Sequence, residues 1–287
     1  MINRQSFLWS IKPIYITYQV CKYLLFPLRI AIATFHDWRS YQSPTALSVP
    51  PPRLRHRVHG SLDKDPYLKC GKIAAQNIRD LSSLVNYDIY SFEHILDFGC
   101  GSGRVLRNFQ DAPASCQFYG TDIDPESINW CKKNLTNIKW NINGYHPPLP
   151  YPDNTFDLIY AISVFTHLNE EFQYLWLDEL QRIAKQGAII ILTTHGEHCI
   201  NKLPAEHQTR INSKGFLYLT GVTGKLRLNK LPDFYQSAYH TKDYIRREWS
   251  FYFNIINHVE RGINNHQDAV ILQKPRSEPN QYFQKRE

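Results

Sequence analysis

The sequence has little of what marks secreted, metal-stabilised or membrane-spanning proteins. Its six cysteines are scattered and form no C-x-x-C pair, so neither a disulfide framework nor a zinc ribbon is predicted. Charged residues interrupt the long apolar stretches, whereas a membrane-spanning helix needs ~20 apolar residues in a row. The N-terminus also lacks the uninterrupted apolar core of a secretory signal. These absences favour a reducing compartment and a cytoplasmic location.

Most of the chain carries no net charge. Residues 1–60 contain eight Lys or Arg and one acid, Asp37, whereas the other 227 residues contain 25 basic and 25 acidic side chains. An enzyme that modifies nucleic acid usually carries basic surface beside its active site. Because the basic excess is confined to the N-terminal arm, RNA and DNA are not expected as substrates.

The arm, residues 1–60, also contains an amphipathic segment. Residues 11–35 are mostly apolar, and the polar residues of this region fall within a sector of roughly 100° on a helical wheel. These residues are Lys12, Gln19, Lys22, Arg29 and Asp37. The pattern is typical of a surface helix, which either docks on its own domain or lies on an anionic membrane surface. The Pro-rich PPPRLRHR at 50–57 is predicted to be a linker with a basic tail.

After residue 60, short apolar runs alternate with helical patterns. Strands are predicted at 93–98, 116–121, 137–142, 156–163 and 188–194. Helices are predicted at 66–86, 103–110, 125–134, 169–185 and 241–249. Strands that alternate with helices indicate right-handed β-α-β units around a parallel sheet. The last helix is followed by two predicted strands joined around Gly262–Asn265, which indicates a terminal antiparallel hairpin.

The stretch ILDFGCGSGR at 95–104 has glycines at every second position from Gly99 to Gly103. Glycines between a buried strand and a helix allow a ligand to approach the backbone and receive its N–H groups. A dinucleotide fold prefers G-x-G-x-x-G, whose third glycine lets helix and strand pack tightly. Arg104 occupies that third position and is too large for this role. A nicotinamide-dependent oxidoreductase is therefore disfavoured.

Two acidic residues define the expected ligand more closely. Asp97 ends the strand before the glycine loop and suits an ammonium group. Asp122, at the end of the second strand, is positioned to accept both hydroxyls of a ribose, and Ile123 can lie against a flat base. A ligand with an amino acid at one end and an unphosphorylated nucleoside at the other fits this set. That ligand is S-adenosylmethionine (SAM).

The chain resembles the class I SAM-dependent methyltransferases through ILDFGCGSGR, YGTDIDPESI and PLPYPDNTFDLIYAISVFTHL. The resemblance implies a Rossmann-like α/β fold whose seven-stranded sheet has the order 3-2-1-4-5-7-6, with strand 7 antiparallel. It also implies that the glycine loop cradles the methionine part of SAM and that the stretch after the third strand covers the adenine. The expected cofactor-binding residues are Asp97, Gly99, Cys100, Gly101, Gly103, Asp122, Ile123, Asn143, Gly144 and Ser163. The chain departs from the family in having NGYHPP where many members carry Gly-Asp.

The sequence divides into three expected parts. Residues 1–60 form the basic arm and linker, residues 61–275 the methyltransferase domain, and residues 276–287 a polar tail. Within the domain, residues 196–240 exceed what is needed to connect a strand to the next helix. This segment is therefore expected to cap the substrate site.

Catalysis is expected to rest on positioning, because the sulfonium of SAM already carries an activated methyl group. His167 and His195 follow the fourth and fifth strands and are the candidate general bases. His195, His198, Cys199 and His207 lie close in sequence, but their spacing matches no established zinc pattern, so no metal is expected.

The expected function is methyl transfer to an oxygen or nitrogen atom of a small or amphiphilic acceptor, such as a sugar, a phenol or a lipid-like molecule. A SAM-binding module without activity is the main alternative. For residues 11–35, peripheral membrane contact stands as the alternative expectation beside docking on the protein's own domain.

Overall fold

A computed structural model of the chain describes residues 12–39, 47–220 and 236–276. The helices are α1 Lys12–Arg39, α2 Pro52–His59, α3 Lys64–Ser83, α4 Pro125–Asn134, α5 Glu170–Ile183, α6 Glu197–Ile200, α7 Ala205–Lys214 and α8 Lys242–Trp249. The strands are β1 His94–Phe98, β2 Gln117–Asp122, β3 Lys139–Ile142, β4 Phe156–Ala161, β5 Ala184–Thr194, β6 Phe216–Leu219, β7 Ser237–His240, β8 Asn254–Ile263 and β9 Gln267–Gln273.

Seven of these strands form one sheet in the order β3-β2-β1-β4-β5-β9-β8. The first five are parallel, and β9 runs antiparallel to both β5 and β8. The predicted α/β class, seven-stranded sheet and antiparallel final strand are therefore confirmed. The predicted order 3-2-1-4-5-7-6 is corrected to 3-2-1-4-5-9-8, because β6 and β7 precede the terminal hairpin and pair with each other in a separate two-stranded sheet.

The sheet is buried on both faces, as a parallel sheet must be. Successive residues of a strand point to opposite faces, so Ile95 and Leu96 of β1 enter different apolar clusters. Ala74 and Ile78 of α3 pack on the first face, and Trp176 of α5 packs on the second. This two-sided core fixes the carboxyl ends of the parallel strands at one edge, where the site lies.

The helix predicted over 103–110 is wrong. After β1 the chain forms successive turns and a single 3-10 turn at Leu106–Phe109. The side-chain amide of Asn108 donates to the carbonyl oxygens of Arg104 and Val105, at 3.1 Å each, and so competes with helical hydrogen bonds. The turns also press against α3, where a Cβ on Gly71 would lie 2.2 Å from the Arg104 carbonyl oxygen.

The prediction of a linker at residues 50–57 is also wrong, because the segment contains α2. Proline at the first helical position and Gly60 at the C-terminus, with φ of 82°, delimit the helix. The guanidinium of the buried Arg55 donates to the carbonyl oxygen of Pro50 at 2.7 Å and pairs with Asp37 of α1 at 2.7 Å. These bonds fix α2 against α1.

Helix α1 packs against its own domain through one face and exposes large apolar side chains on the other. Phe26 and Ala33 are buried against Leu62, while Asp37 is directed inward to its partner Arg55. The opposite face exposes large apolar side chains over about half to four-fifths of their surface. They are Leu24 73%, Leu25 51%, Leu28 56%, Ile32 49%, Phe35 52% and Trp38 79%. In the part of the chain that the structure describes, no helix has the length and apolarity needed to cross a membrane.

Candidate active site

A cleft opens at the carboxyl edge of β1, β2 and β4, where the glycine loop leaves the sheet. Eight of the ten predicted cofactor-binding residues line it: Asp97, Gly99, Cys100, Gly101, Asp122, Ile123, Asn143 and Ser163. Gly103 and Gly144 do not line it. Side chains from α2 and α5 complete the walls, so the cleft is enclosed by segments distant in sequence.

The glycines of the loop are required by the protein itself as well as by any ligand. Gly99, Gly101 and Gly103 all have positive φ, at 79°, 55° and 73°, which L-residues with side chains rarely adopt. A Cβ on Gly99 would lie 2.3 Å from Val164 Cγ2, and one on Gly101 would lie 2.6 Å from Val58 Cγ2. The loop therefore packs directly against α2 and against the turn after β4.

Asp97 provides a buried carboxylate that the protein leaves partly unsatisfied. Its side chain is 2% exposed, and Oδ2 has no hydrogen-bond partner among the described residues. Burial raises the pKa of Asp97 to about 8, because desolvation penalises the charged form, and the neighbouring Tyr160 hydroxyl partly opposes that rise. A cationic group entering the cleft would supply the missing partner.

Asp122 is anchored by the backbone through both oxygens. Oδ2 accepts the Gly101 N–H at 2.7 Å, and Oδ1 accepts the Asp124 N–H at 2.9 Å. Burial raises the pKa of Asp122 to about 6, and these two backbone bonds partly oppose that rise. Since a carboxylate oxygen has two lone pairs, each oxygen retains one for a hydroxyl group.

Of the three residues after β3 that were expected to cover the adenine, Asn143 and Tyr145 line the cleft and Gly144 does not. Asn143 lines the cleft, but its Oδ1 accepts from the Thr121 hydroxyl at 2.9 Å and its Nδ2 donates to the Gly144 carbonyl oxygen at 2.8 Å. The side-chain amide is therefore engaged within the protein, while Tyr145 lines the cleft beside it.

Helix α2 contributes to the cleft, which the sequence interpretation missed. Val58 packs over Gly101, and Arg57 pairs with Asp124 and with Glu126, the latter at 3.1 Å. This pairing ties α2 to the start of α4, next to Asp122. The helix signal was present in the sequence as a proline at the start and a glycine after the end of the segment.

The two candidate bases lie beside the cleft rather than in its wall. Nδ1 of His167 is 2.5 Å from the Gln236 carbonyl oxygen, and Nδ1 of His195 is 3.0 Å from the Ala238 carbonyl oxygen. Burial lowers the pKa of each to about 4, so both rings are neutral at pH 7. Neither belongs to the described lining, which includes no histidine.

The insertion between β5 and α8 packs on the same edge of the sheet. Its β7 strand bonds to the turns after β4 and β5, through Ala238 N–H to the Thr166 carbonyl oxygen and His240 N–H to the His195 carbonyl oxygen. Ile200, Ile211 and Leu217 give it a small core of its own, described here without residues 221–235.

The central part of the chain is similar to known proteins. Residues 96–192 match the family model of the methyltransferase domain. Ajmaline N-methyltransferase of Rauvolfia serpentina is 29% identical over 109 residues, 36% of this chain and 36% of that enzyme. The tRNA N(3)-cytidine methyltransferase of Gallus gallus is 24% identical over 118 residues, 38% of this chain and 32% of that enzyme. The structure of a SAM-dependent methyltransferase from Clostridium acetobutylicum has a TM-score of 0.50 and 10% identity over 71% of this chain and 92% of that one.

These matches confirm the family and the cofactor predicted from the sequence. Residues 96–192 match the methyltransferase domain, as expected of a SAM-dependent methyltransferase. The chain covers about a third of the length of the two curated relatives. Because those relatives are named for different acceptors, ajmaline and tRNA, the match leaves the acceptor open.

Proposed function

We propose that this protein transfers the methyl group of SAM to an oxygen or nitrogen atom of a small or amphiphilic acceptor. The observation that carries the proposal is that one cleft contains the buried carboxyl of Asp97 and the partly buried carboxylate of Asp122. Asp97 has an oxygen without a hydrogen-bond partner among the described residues, and Asp122 has an open lone pair on each oxygen. A cationic amino acid joined to a ribose would satisfy both.

Each cofactor-binding residue then has a defined role. Asp97 holds the ammonium group, Asp122 accepts the two ribose hydroxyls, and Ile123 lies against the adenine. The bound cofactor supplies an activated methyl group on its sulfonium. The protein's own task is to exclude water and to hold the acceptor atom in line with the methyl group at ~3 Å.

The position of the histidines favours an acceptor that needs little help in losing a proton. His167 and His195 remain the candidate bases, but their lowered pKa values and their places beside the cleft make them weak ones. A neutral amine, or a hydroxyl as acidic as a phenol, requires less assistance than a sugar hydroxyl. We therefore rank amines and phenols ahead of sugars.

Charge supports a small acceptor over a nucleic acid. Of the two arginines in the described lining, Arg57 pairs with Asp124 and Glu126, and Arg104 donates to Cys70 Sγ at 2.7 Å. The basic excess of the chain remains in its first 60 residues. The tRNA-modifying relative shows that the shared domain can serve RNA elsewhere, so RNA belongs in the acceptor screen.

The test uses the full-length protein, labelled SAM and a panel of amines, phenols, sugars, lipids and tRNA. We expect label to move to one of the first two classes and to be lost with Asp122→Ala. Transfer to tRNA alone would overturn the acceptor proposal. SAM binding without transfer to any acceptor, including a total small-molecule extract, would favour the binding module without activity.

We also propose that the protein is cytoplasmic and contacts an anionic membrane surface through the outward face of α1. The support is the set of exposed apolar side chains from Leu24 to Trp38, flanked by the exposed basic residues Arg29 and Arg39. An interfacial helix buries such a face among lipid headgroups and acyl chains. The methyltransferase domain would then be held beside amphiphilic acceptors.

A further inference from the structure

Three side chains of the kind that bind zinc meet beyond the end of β5. His195 follows β5, Cys199 lies in α6, and His266 lies in the turn between β8 and β9. One ligand atom from each lies within 4.8 Å of the other two, and Cys199 Sγ is 4.0 Å from His266 Nδ1. We propose that His195, Cys199 and His266 bind one zinc ion, which would leave His167 as the candidate base of the methyl transfer, because a zinc-bound imidazole has no free lone pair for a proton.

The distances are close to those of a metal site. With Zn–N near 2.0–2.1 Å and Zn–S near 2.3 Å, neighbouring ligand atoms in a tetrahedral site are about 3.3–3.8 Å apart. Shifts of about 1 Å or less in the side chains would bring the three ligand atoms to that spacing. Since His266 is exposed, a change of its rotamer requires no rearrangement of the core.

The hydrogen bonds of the cluster orient two of its members for metal binding. His195 Nδ1 lies 3.0 Å from the Ala238 carbonyl oxygen, which can only accept, so Nδ1 carries the proton and Nε2 keeps its lone pair. A backbone carbonyl behind the ring is the usual support of a ligating histidine. Cys199 is buried, and its Sγ is directed to His266, with the carbonyl oxygen of that residue at 3.7 Å.

The donor set selects the class of metal. Two imidazoles and a thiolate suit Zn²⁺, whereas Mg²⁺ and Ca²⁺ prefer oxygen ligands. Three protein ligands leave the fourth position for water or another small ligand. The buried carboxylate of Asp268 lies against the backbone of Gly196, where a Cβ would be 1.9 Å from its Oδ2, and this oxygen lies 3.0 Å from His258 Nε2.

The site differs from the one that the sequence analysis considered and set aside. That set came entirely from residues 195–207, and two of its members, His198 and His207, are not part of the cluster. His198 Nε2 is 2.7 Å from Lys202 Nζ. The third ligand comes instead from His266, which the terminal hairpin brings back to the end of β5. A bound ion would therefore tie the insertion to that hairpin.

The test is metal binding by the full-length protein, reduced and stripped with a chelator. Zn²⁺ affinity is measured by competition with a chromophoric chelator, and Co²⁺ serves as a spectroscopic substitute. The variants are Cys199→Ser and His266→Ala, and the matched control is His198→Ala, a neighbouring histidine outside the cluster. Circular dichroism in the presence of chelator verifies that each variant is folded.

We expect one equivalent of Zn²⁺ and a thiolate-to-cobalt charge-transfer band in the parent and in the control. Cys199→Ser should lose the band, and His266→Ala should weaken Zn²⁺ binding by more than the roughly 10- to 100-fold that loss of an outer-shell partner costs. If Cys199→Ser does not fold, the parent's cobalt band and His266→Ala decide. Absence of stoichiometric binding to the folded parent, or equal binding by parent and His266→Ala, would overturn the proposal.

Discussion

The cofactor cleft and the N-terminal helix depart from ordinary burial in opposite directions. The cleft buries an acidic group, because Asp97 is 2% exposed and one of its oxygens lacks a partner among the described residues. Helix α1 exposes apolar surface, with Trp38 79% and Leu24 73% exposed, while its one acid turns inward to Arg55. A buried unpaired carboxylate and an exposed apolar face are both costly in isolation. We therefore propose that a ligand completes each surface, a cation in the first case and a lipid layer in the second.

The largest loss of SAM affinity and stability is expected from a substitution in the glycine loop, which joins the cleft to the arm. Gly101→Val would force a β-branched residue to a φ of 55° and place its Cβ 2.6 Å from Val58 Cγ2. Backbone strain of about 1–3 kcal/mol and overpacking of about 1–3 kcal/mol should displace α2 and abolish SAM binding. Thermal unfolding and calorimetry measure the two losses.

The control for this variant is Gly144→Val. A Cβ on Gly144 would meet nothing closer than 3.4 Å, and the glycine has no positive φ. We expect it to unfold at nearly the temperature of the parent. If Gly101→Val matched its stability and affinity, the close packing of loop and helix would be wrong.

The second effect is the pH dependence of SAM affinity, which tests whether Asp97 binds the ammonium group in its charged form. Because the pKa of Asp97 is about 8, its carboxyl is mostly protonated at neutral pH in the free protein. SAM affinity should rise as pH increases from about 6 to about 7.5, by up to about tenfold per unit, as the charged form becomes available to the ammonium. Calorimetry across this range measures the slope, and Asp97→Asn should remove it.

The stability of the free protein should change with the opposite sign. A carboxyl whose pKa is raised in the folded state holds its proton more tightly there, so its contribution is present below the unfolded pKa and is lost as pH rises toward about 8. Asp97→Asn should therefore become more stable relative to the parent between about pH 5 and about pH 8. A constant difference across this range would mean that Asp97 is not desolvated.

The third effect tests the exposed face of α1. Leu28→Glu places a charge at a position that is 56% exposed, so the fold should tolerate it. Co-sedimentation with anionic vesicles should weaken by about tenfold or more, since burying a leucine is worth about 1.5–3 kcal/mol.

Leu84→Glu is the matched control, because Leu84 is 57% exposed but lies outside α1. Its vesicle binding should equal that of the parent. If the parent does not bind vesicles, or if both variants behave alike, the lipid assignment fails and another partner covers the face.

The smallest loss of SAM affinity is expected from a substitution of Arg57, whose ion pairs hold α2 beside the cleft. Arg57→Ala removes its pairs with Asp124 and Glu126 and should weaken SAM binding by a few-fold, about 0.5–1.5 kcal/mol. Arg53→Ala is the control, because Arg53 pairs with Glu126 at 3.0 Å from an exposed position. Equal affinities for the two variants would show that α2 does not shape the cofactor site.

The sheet could be predicted because its determinants are local. Apolar runs of four to eight residues separated by helical patterns define parallel strands, and five predicted strands fall on β1 to β5. The glycine loop and Asp122 were also accessible, because a turn of this kind and a strand-end acid lie within short motifs. The final hairpin followed from two apolar runs around the turn at 262–265.

The features that could not be predicted from the sequence depend on contacts between distant segments. The buried Arg55 needs Asp37 and the Pro50 carbonyl oxygen as partners, and no local pattern distinguishes it from the exposed arginines of a linker. The inward turn of Asp37 likewise reverses the expectation that polar residues of a surface helix face solvent. The side chain of Asn108 ended the helix predicted after β1 by bonding to nearby carbonyl oxygens, a competition that helical periodicity does not reveal.

Calorimetric titration of SAM into the full-length protein and into Asp122→Ala tests the central claim most directly. The account predicts one site in the parent and a loss of about 1.5–3 kcal/mol in the variant, because a charged acceptor of two hydroxyl groups is removed. NAD should bind to neither protein. Equal SAM affinity in parent and variant, or binding of NAD in place of SAM, would contradict the assignment of this cleft to SAM.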